Sequence, residues 1–209
     1  MDLSNRPVVT TNDAWGLFRA QMDLRLSRLT PDHTIKGLFL KGYLDLFRRE
    51  GGEELHQRCL KELGDKRVVD VFNYPYSGVM RIGLLAAEPL APKLGGIENY
   101  LREMGRLATQ GYLDSVLGRA YRTLVNPTPH SMLSMMPTAI RTCFSFGERK
   151  VRFPSPTEAV FECRDDFSPA EANAGGIEAA ITATRGRDIK VEVKARDLFN
   201  YDIHAHWTA

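Results

Sequence analysis

The sequence predicts an α+β fold, an N-terminal helical bundle packed on one face of a C-terminal antiparallel sheet, with the sheet part running β-β-α-β-β. Up to residue 146 the apolar residues recur every three or four positions, the rhythm of helices with one buried side. After Gly147 the period falls to two. On the clearest strands the alternate positions are charged, which suits a sheet covered on one face and wet on the other. The 209 residues suit one domain. Residues 1–12, polar and broken by Pro7, are expected to form a flexible arm, with a single domain over 13–209, helical from 13 to 146 and sheet-forming from 147 to 209.

From Ala14 to Leu29 the residues Trp15, Phe18, Met22 and Leu26 fit a helix better than a bent strand. Asp32 is placed to cap the next helix, whose apolar side is Ile35, Leu38, Phe39, Tyr43, Leu46 and Phe47. Gly51-Gly52 ends it. A shorter helix through Leu55, Cys59, Leu60 and Leu63 follows, closed by Gly64. Asn73-Tyr74-Pro75 reads as a turn, and Tyr76 to Ala87 as a helix stopped around Pro89 and Pro92. Ile97 to Val125 is the longest helical stretch. Pro129 to Phe144 is another, carrying Met132, Leu133, Met136, Ile140 and Cys143, with a kink expected at Pro137.

In the back part Val151 and Phe153 alternate with Lys150 and Arg152, and Ala159, Phe161 and Cys163 with Glu158, Glu162 and Arg164. Ser168 is placed to cap a helix through Ile177, Ala180, Ile181 and Ala183, ended at Gly186. Two more strands follow, on Ile189, Val191, Val193 and Ala195 and on Tyr201, Ile203, Ala205 and Trp207.

Composition narrows the functional classes. A net charge of +2 is too small to imply nucleic acid or a membrane surface. No run approaches the roughly 18 apolar residues a spanning helix needs. Three widely spaced cysteines, none in a Cys-x-x-Cys pair, read as reduced thiols, and with no basic-then-apolar start the expected location is the cytoplasm.

Candidate chemistry is sparse. Asp202, His204 and His206 share one strand face, and histidines two apart, about 6.8 Å along a strand, can share one metal ion. No third ligand is indicated, and the neighbouring strand shows lysine and glutamate, so no metal is expected. His130 has no acidic orienter nearby in sequence, and the cysteines lie on apolar stripes, where thiols are inert. The Gly-Gly pairs at 51–52, 95–96 and 175–176 lack the setting of a phosphate loop, and no G-x-S-x-G or H-E-x-x-H occurs.

The most informative feature is a row of small residues, Ala108, Gly111, Ser115 and Gly118, beside the apolar stripe of the long helix. Glycine inside a helix costs about 1 kcal/mol against alanine, so the row marks either tight packing or a groove admitting a ligand or a partner helix. Met132, Met135 and Met136 can face it, and methionine suits adaptable apolar contacts. Ala108, Gly111, Ser115, Gly118, Met132 and Met136 are therefore the candidate binding residues; no catalytic set is assigned.

Ile35-Lys36-Gly37-Leu38-Phe39, Tyr74-Pro75-Tyr76, Gly105-Arg106-x4-Gly111-Tyr112 and Gly118-Arg119, in this order and spacing, resemble an uncharacterised myxobacterial paralogous family of about two hundred residues, over residues 33 to 207. That family resembles in turn the 4-vinyl-reductase, TRAPP-subunit and haem–nitric-oxide-binding group. The resemblance implies helices on one face of an antiparallel sheet, a small apolar ligand or a protein partner, and a homodimer. The haem branch carries a Tyr-x-Ser-x-Arg motif that this sequence lacks, so no cofactor is expected. The function expected is a non-enzymatic binding or regulatory module, sensing a small apolar molecule or docking a protein. The alternatives are an enzyme assembled from scattered residues, or a structural subunit.

Overall fold

A computed structural model describes residues 11–64, 67–116, 118–120 and 128–208. Helix α1 spans Thr11–Arg28, so the expected arm lies outside the described residues except for its last two positions, which open this helix. Strand β1 (Thr34–Lys36) leads into α2 (Gly37–Glu62), and β2 (Asn73–Pro75) into α3 (Tyr76–Leu90). Next come α4 (Ile97–Asp114) and α5 (Pro129–Cys143). The back part is β3 (Glu148–Ser155), β4 (Glu158–Arg164), α6 (Ala170–Thr182), β5 (Arg187–Ala195) and β6 (Tyr201–Thr208). The four long strands form an antiparallel sheet in the order β3-β4-β6-β5, which is the β-β-α-β-β arrangement the alternation predicts. Register shifts occur in β3 between Arg152 and Ser155, and in β5 between Arg187 and Lys190.

Several local expectations need correction. Ile35 is a strand residue, not helical: β1 pairs with β2, Ile35 opposite Tyr74, so the expected turn at Asn73-Tyr74-Pro75 is a strand. Three residues are too few to show a period. Gly52, at φ 82° and ψ 177°, does interrupt the helix as expected, so α2 is two helices joined across a kink. Lys36, not Asp32, precedes α2, and Pro169, not Ser168, precedes α6. Thr128 caps α5 instead, its hydroxyl accepting from the Ser131 N–H in a reciprocal capping box, with Pro129 at the first helical position.

The largest correction falls on the long helix. It stops at Asp114, where Ser115 turns extended (φ −69°, ψ 167°). The Ser115 hydroxyl donates to the Tyr112 carbonyl at 2.6 Å and accepts from the Gly118 N–H at 3.1 Å, so it closes one helix and caps a fresh helical turn at residues 116 and 118–120. Residues 117 and 121–125 of the expected helix lie outside those described. Gly111 and Gly118 therefore do not share a stripe. A Cβ on Gly111 would meet nothing within 4 Å, whereas one on Gly118 would overlap the Tyr112 carbonyl. Gly111→Ala should stabilise the chain by up to about 1 kcal/mol, and Gly118→Ala should destabilise it by roughly 1–3 kcal/mol. Urea denaturation of both variants reads the two signs; a stabilising Gly118→Ala would mean the helix runs on unbroken.

Two apolar cores result. One joins α1 to α4 around Phe47, Ile82, Leu90 and Tyr100, all fully buried. The other lies between the sheet, with Phe161, Tyr201 and Ile203, and α5 and α6, with Leu133 and Ile181. Tyr112 on α4 packs against both. The most extensive helix–helix contact is α4 against α6. There a Cβ on Gly105 would overlap the Ala172 carbonyl, one on Gly175 the Arg102 carbonyl, and one on Gly176 would stand 2.8 Å from the Thr109 hydroxyl. The close approach comes from these three glycines.

Candidate functional site

Where the two cores meet, α4, α5 and α6 leave a cavity of about 90 Å³ against β3 and β4. Its walls are mostly apolar: Phe39 from α2, Ala108 and Tyr112 from α4, Met132, Met136 and Ile140 from α5, Phe161 and Cys163 from β4, Gly176 and Ile177 from α6. Glycines at the α4–α6 crossing bring those helices together at one wall. Of the residues singled out from sequence, Ala108, Met132 and Met136 line this cavity, while Gly111, Ser115 and Gly118 do not. Met135 is exposed.

The polar end of the cavity was not anticipated. Arg149, Ser168 and Asn173 line it. The Arg149 side chain is 4% exposed and its ion-pair partner Asp166 is fully buried, with Nη2 2.7 Å from Oδ1. That contact is close but off the line of a hydrogen bond, so Nη2 makes none, and Nε has no acceptor among the described residues. Nη1 donates to the Phe146 carbonyl at 3.1 Å, and the guanidinium lies over the Phe144 and Phe146 rings. Asp166 also accepts from the Ser168 N–H at 2.9 Å and from Asn173 Nδ2 at 2.8 Å. A second buried guanidinium, Arg25 of α1, donates to the carbonyls of Asp166, Phe167 and Ser168 at 3.4, 3.1 and 3.3 Å.

Burial lowers the pKa of Arg25. It also works against charge on Arg149, but there the attraction of Asp166 wins and the pKa rises. Burial holds the tyrosines of this cluster neutral, pushing Tyr76 up to about 12 and Tyr201 well above the usual phenol range. A sequence signal for Arg149 existed: it has the parity of Val151 and Phe153, the inward face of β3. Nothing comparable marked Asp166, in a loop, or Arg25, on a helix with an expected apolar stripe.

The remaining reactive groups do not converge. All three cysteines are buried and free. Burial pushes Cys59 up to about 11 and Cys163 up to about 12, and raises Cys143, so they are thiols rather than thiolates. Ser134 lies 3.4 Å from His130 Nδ1 but donates its proton to the His130 carbonyl at 2.7 Å, and the imidazole stacks on Phe153. His204 and His206 sit opposite Glu192 and Lys190, as the charged neighbouring strand implied, and His206 lies 3.2 Å from Glu158. Asp202 is taken by Arg164 and Arg196. Among the described residues there is no group of three metal-ligating side chains, and no helix long and apolar enough to cross a membrane.

A helical front on an antiparallel sheet is an arrangement this chain shares with solved H-NOX proteins. The unliganded Fe(II) H-NOX protein from K. algicida is similar over 84% of this chain and 97% of its own, with a TM-score of 0.65 at 13% identity. An S. oneidensis H-NOX protein in the Fe(II)NO state is similar over 84% of this chain and all of its own, with a TM-score of 0.65 at 11% identity. At that identity the likeness is one of fold, and it agrees with the fold relationship expected from sequence. The chain itself belongs to the family described as Protein of unknown function (DUF2378), which it matches over residues 28–208. No curated protein matches it.

The residues around this cavity do not fit a haem. Haem iron takes histidine, thiolate, tyrosinate or methionine paired with histidine, and none of the five histidines lines the cavity. Cys163, Tyr43, Tyr76 and Tyr112 do line it, but the space they face is too small for a porphyrin. A cavity of about 90 Å³ is also smaller than the roughly 150 Å³ that admits benzene.

Proposed function

We propose that this protein is a non-enzymatic regulatory module that binds a small, largely apolar molecule between α4, α5, α6 and the sheet. The cavity carries this reading: it lies where the two cores meet, so a molecule filling it touches both. Occupancy would then bias how α5 and Tyr112 sit between the halves, which is what a sensor requires. Ala108, Met132 and Met136 are assigned to its wall. Gly118 is assigned to close packing and Ser115 to capping rather than to the ligand, and Gly111, with open space around it, to neither.

Native mass spectrometry of the chain purified from its own host tests the reading. The expected result is a stoichiometric small molecule, absent from an Ala108→Phe variant that keeps its helical circular dichroism. A chain that emerges empty but with a co-purified protein would overturn the sensor in favour of an adaptor. A homodimer remains part of the proposal and reads out in the same spectrum.

A further inference from the structure

We infer that the molecule bound in the cavity carries a carboxylate, which Arg149 receives. The inference rests on the cavity being a binding site and goes further by naming the ligand's chemistry. Of two buried guanidiniums, Arg149 pairs with the one buried carboxylate, Asp166, while Arg25 is held by backbone carbonyls, and the tyrosines around them are neutral. The cluster therefore holds one positive charge more than it balances, where water scarcely reaches. Within it the Nε–H of Arg149, a residue that lines the cavity, has no acceptor. A buried donor of that kind without a partner is rare in a folded protein. It is explained when the missing acceptor arrives with a ligand.

Ser168 supplies a second donor. Its oxygen accepts from the Tyr76 hydroxyl at 3.2 Å, which leaves its own hydroxyl proton free to turn towards an anion. A carboxylate taking Arg149 Nε–H and Ser168 Oγ–H balances the cluster's charge, and its apolar body lies against Met132, Met136 and Ile140. The cavity's size points to a short aliphatic acid.

Calorimetric titration of the full chain with acetate, acetamide and inorganic phosphate at fixed ionic strength tests this. Acetate should bind at least about tenfold more tightly than acetamide, as a charge-assisted hydrogen bond implies, and phosphate should not bind. The preference should vanish in Arg149→Gln. Should that variant fail to fold, Ala108→Phe, which fills the apolar end, should abolish acetate binding. Equal binding of acid and amide, preferential phosphate binding, or an acid preference that survives Arg149→Gln overturns the inference and leaves the cavity reading standing. Acetate binding that survives Ala108→Phe, or binding of none of the probes, overturns both.

Discussion

Gly105→Ala is expected to destabilise the chain by at least roughly 1–3 kcal/mol, the usual cost of overpacking, and Gly175→Ala by a similar amount. A methyl group at either position runs into a carbonyl of the facing helix, that of Ala172 or of Arg102. Backbone cannot turn aside as a flexible side chain can, so α4 and α6 must separate along their whole contact. Arg102 would be disturbed with them, because it donates to Glu171 of α6 at 2.8 Å and to the Val191 carbonyl of β5 at 3.2 Å. Urea denaturation gives the loss directly. Gly42→Ala is the control: the nearest atom to a Cβ there is the Leu107 carbonyl oxygen at 3.9 Å, ordinary contact. If Gly105→Ala were as stable as wild type, the helices could not cross as described.

Asp166→Ala should cost more, about 3–5 kcal/mol, the range for breaking a buried ion pair by removing one partner. It strands Arg149 as an unbalanced buried charge and takes the acceptor from the Ser168 N–H and from Asn173. Adding Arg149→Met should restore a large part of the loss, since the stranded charge goes with it. A double variant no more stable than Asp166→Ala would show that the charge is not what makes the single change costly.

The period of the apolar residues made the architecture legible, because helices and strands with one buried face repeat at different intervals. It located every long strand and the major helices. It missed β1 and β2, whose three residues hold less than two repeats, and it ran α4 past Asp114, where Ser115 breaks the helix and caps a new turn without any proline. Interior glycine marks close approach at Gly118 and Gly105 but not at Gly111. Gly105 carried the same signal, and its counterpart was Gly176 on a helix some seventy positions later in the chain. Contact between distant segments leaves no local mark. The apolar half of the cavity was therefore legible in Ala108, Met132 and Met136. Its charged end was not, because Arg25, Arg149 and Asp166 come from three separate elements, and arginine and aspartate ordinarily stand in water.

The two breaks in register have a bearing on how these molecules meet one another. They fall on β3 and β5, the outermost strands of the sheet. An outermost strand offers unpaired amides and carbonyls that can recruit a strand from another molecule and seed aggregation. Here β3 carries Pro154 next to its break, and β5 carries Arg187, Lys190 and Lys194. Proline withholds a donor, positive charges repel a like neighbour, and each break bends the strand out of line for pairing. The sheet thus resists being extended in the plane.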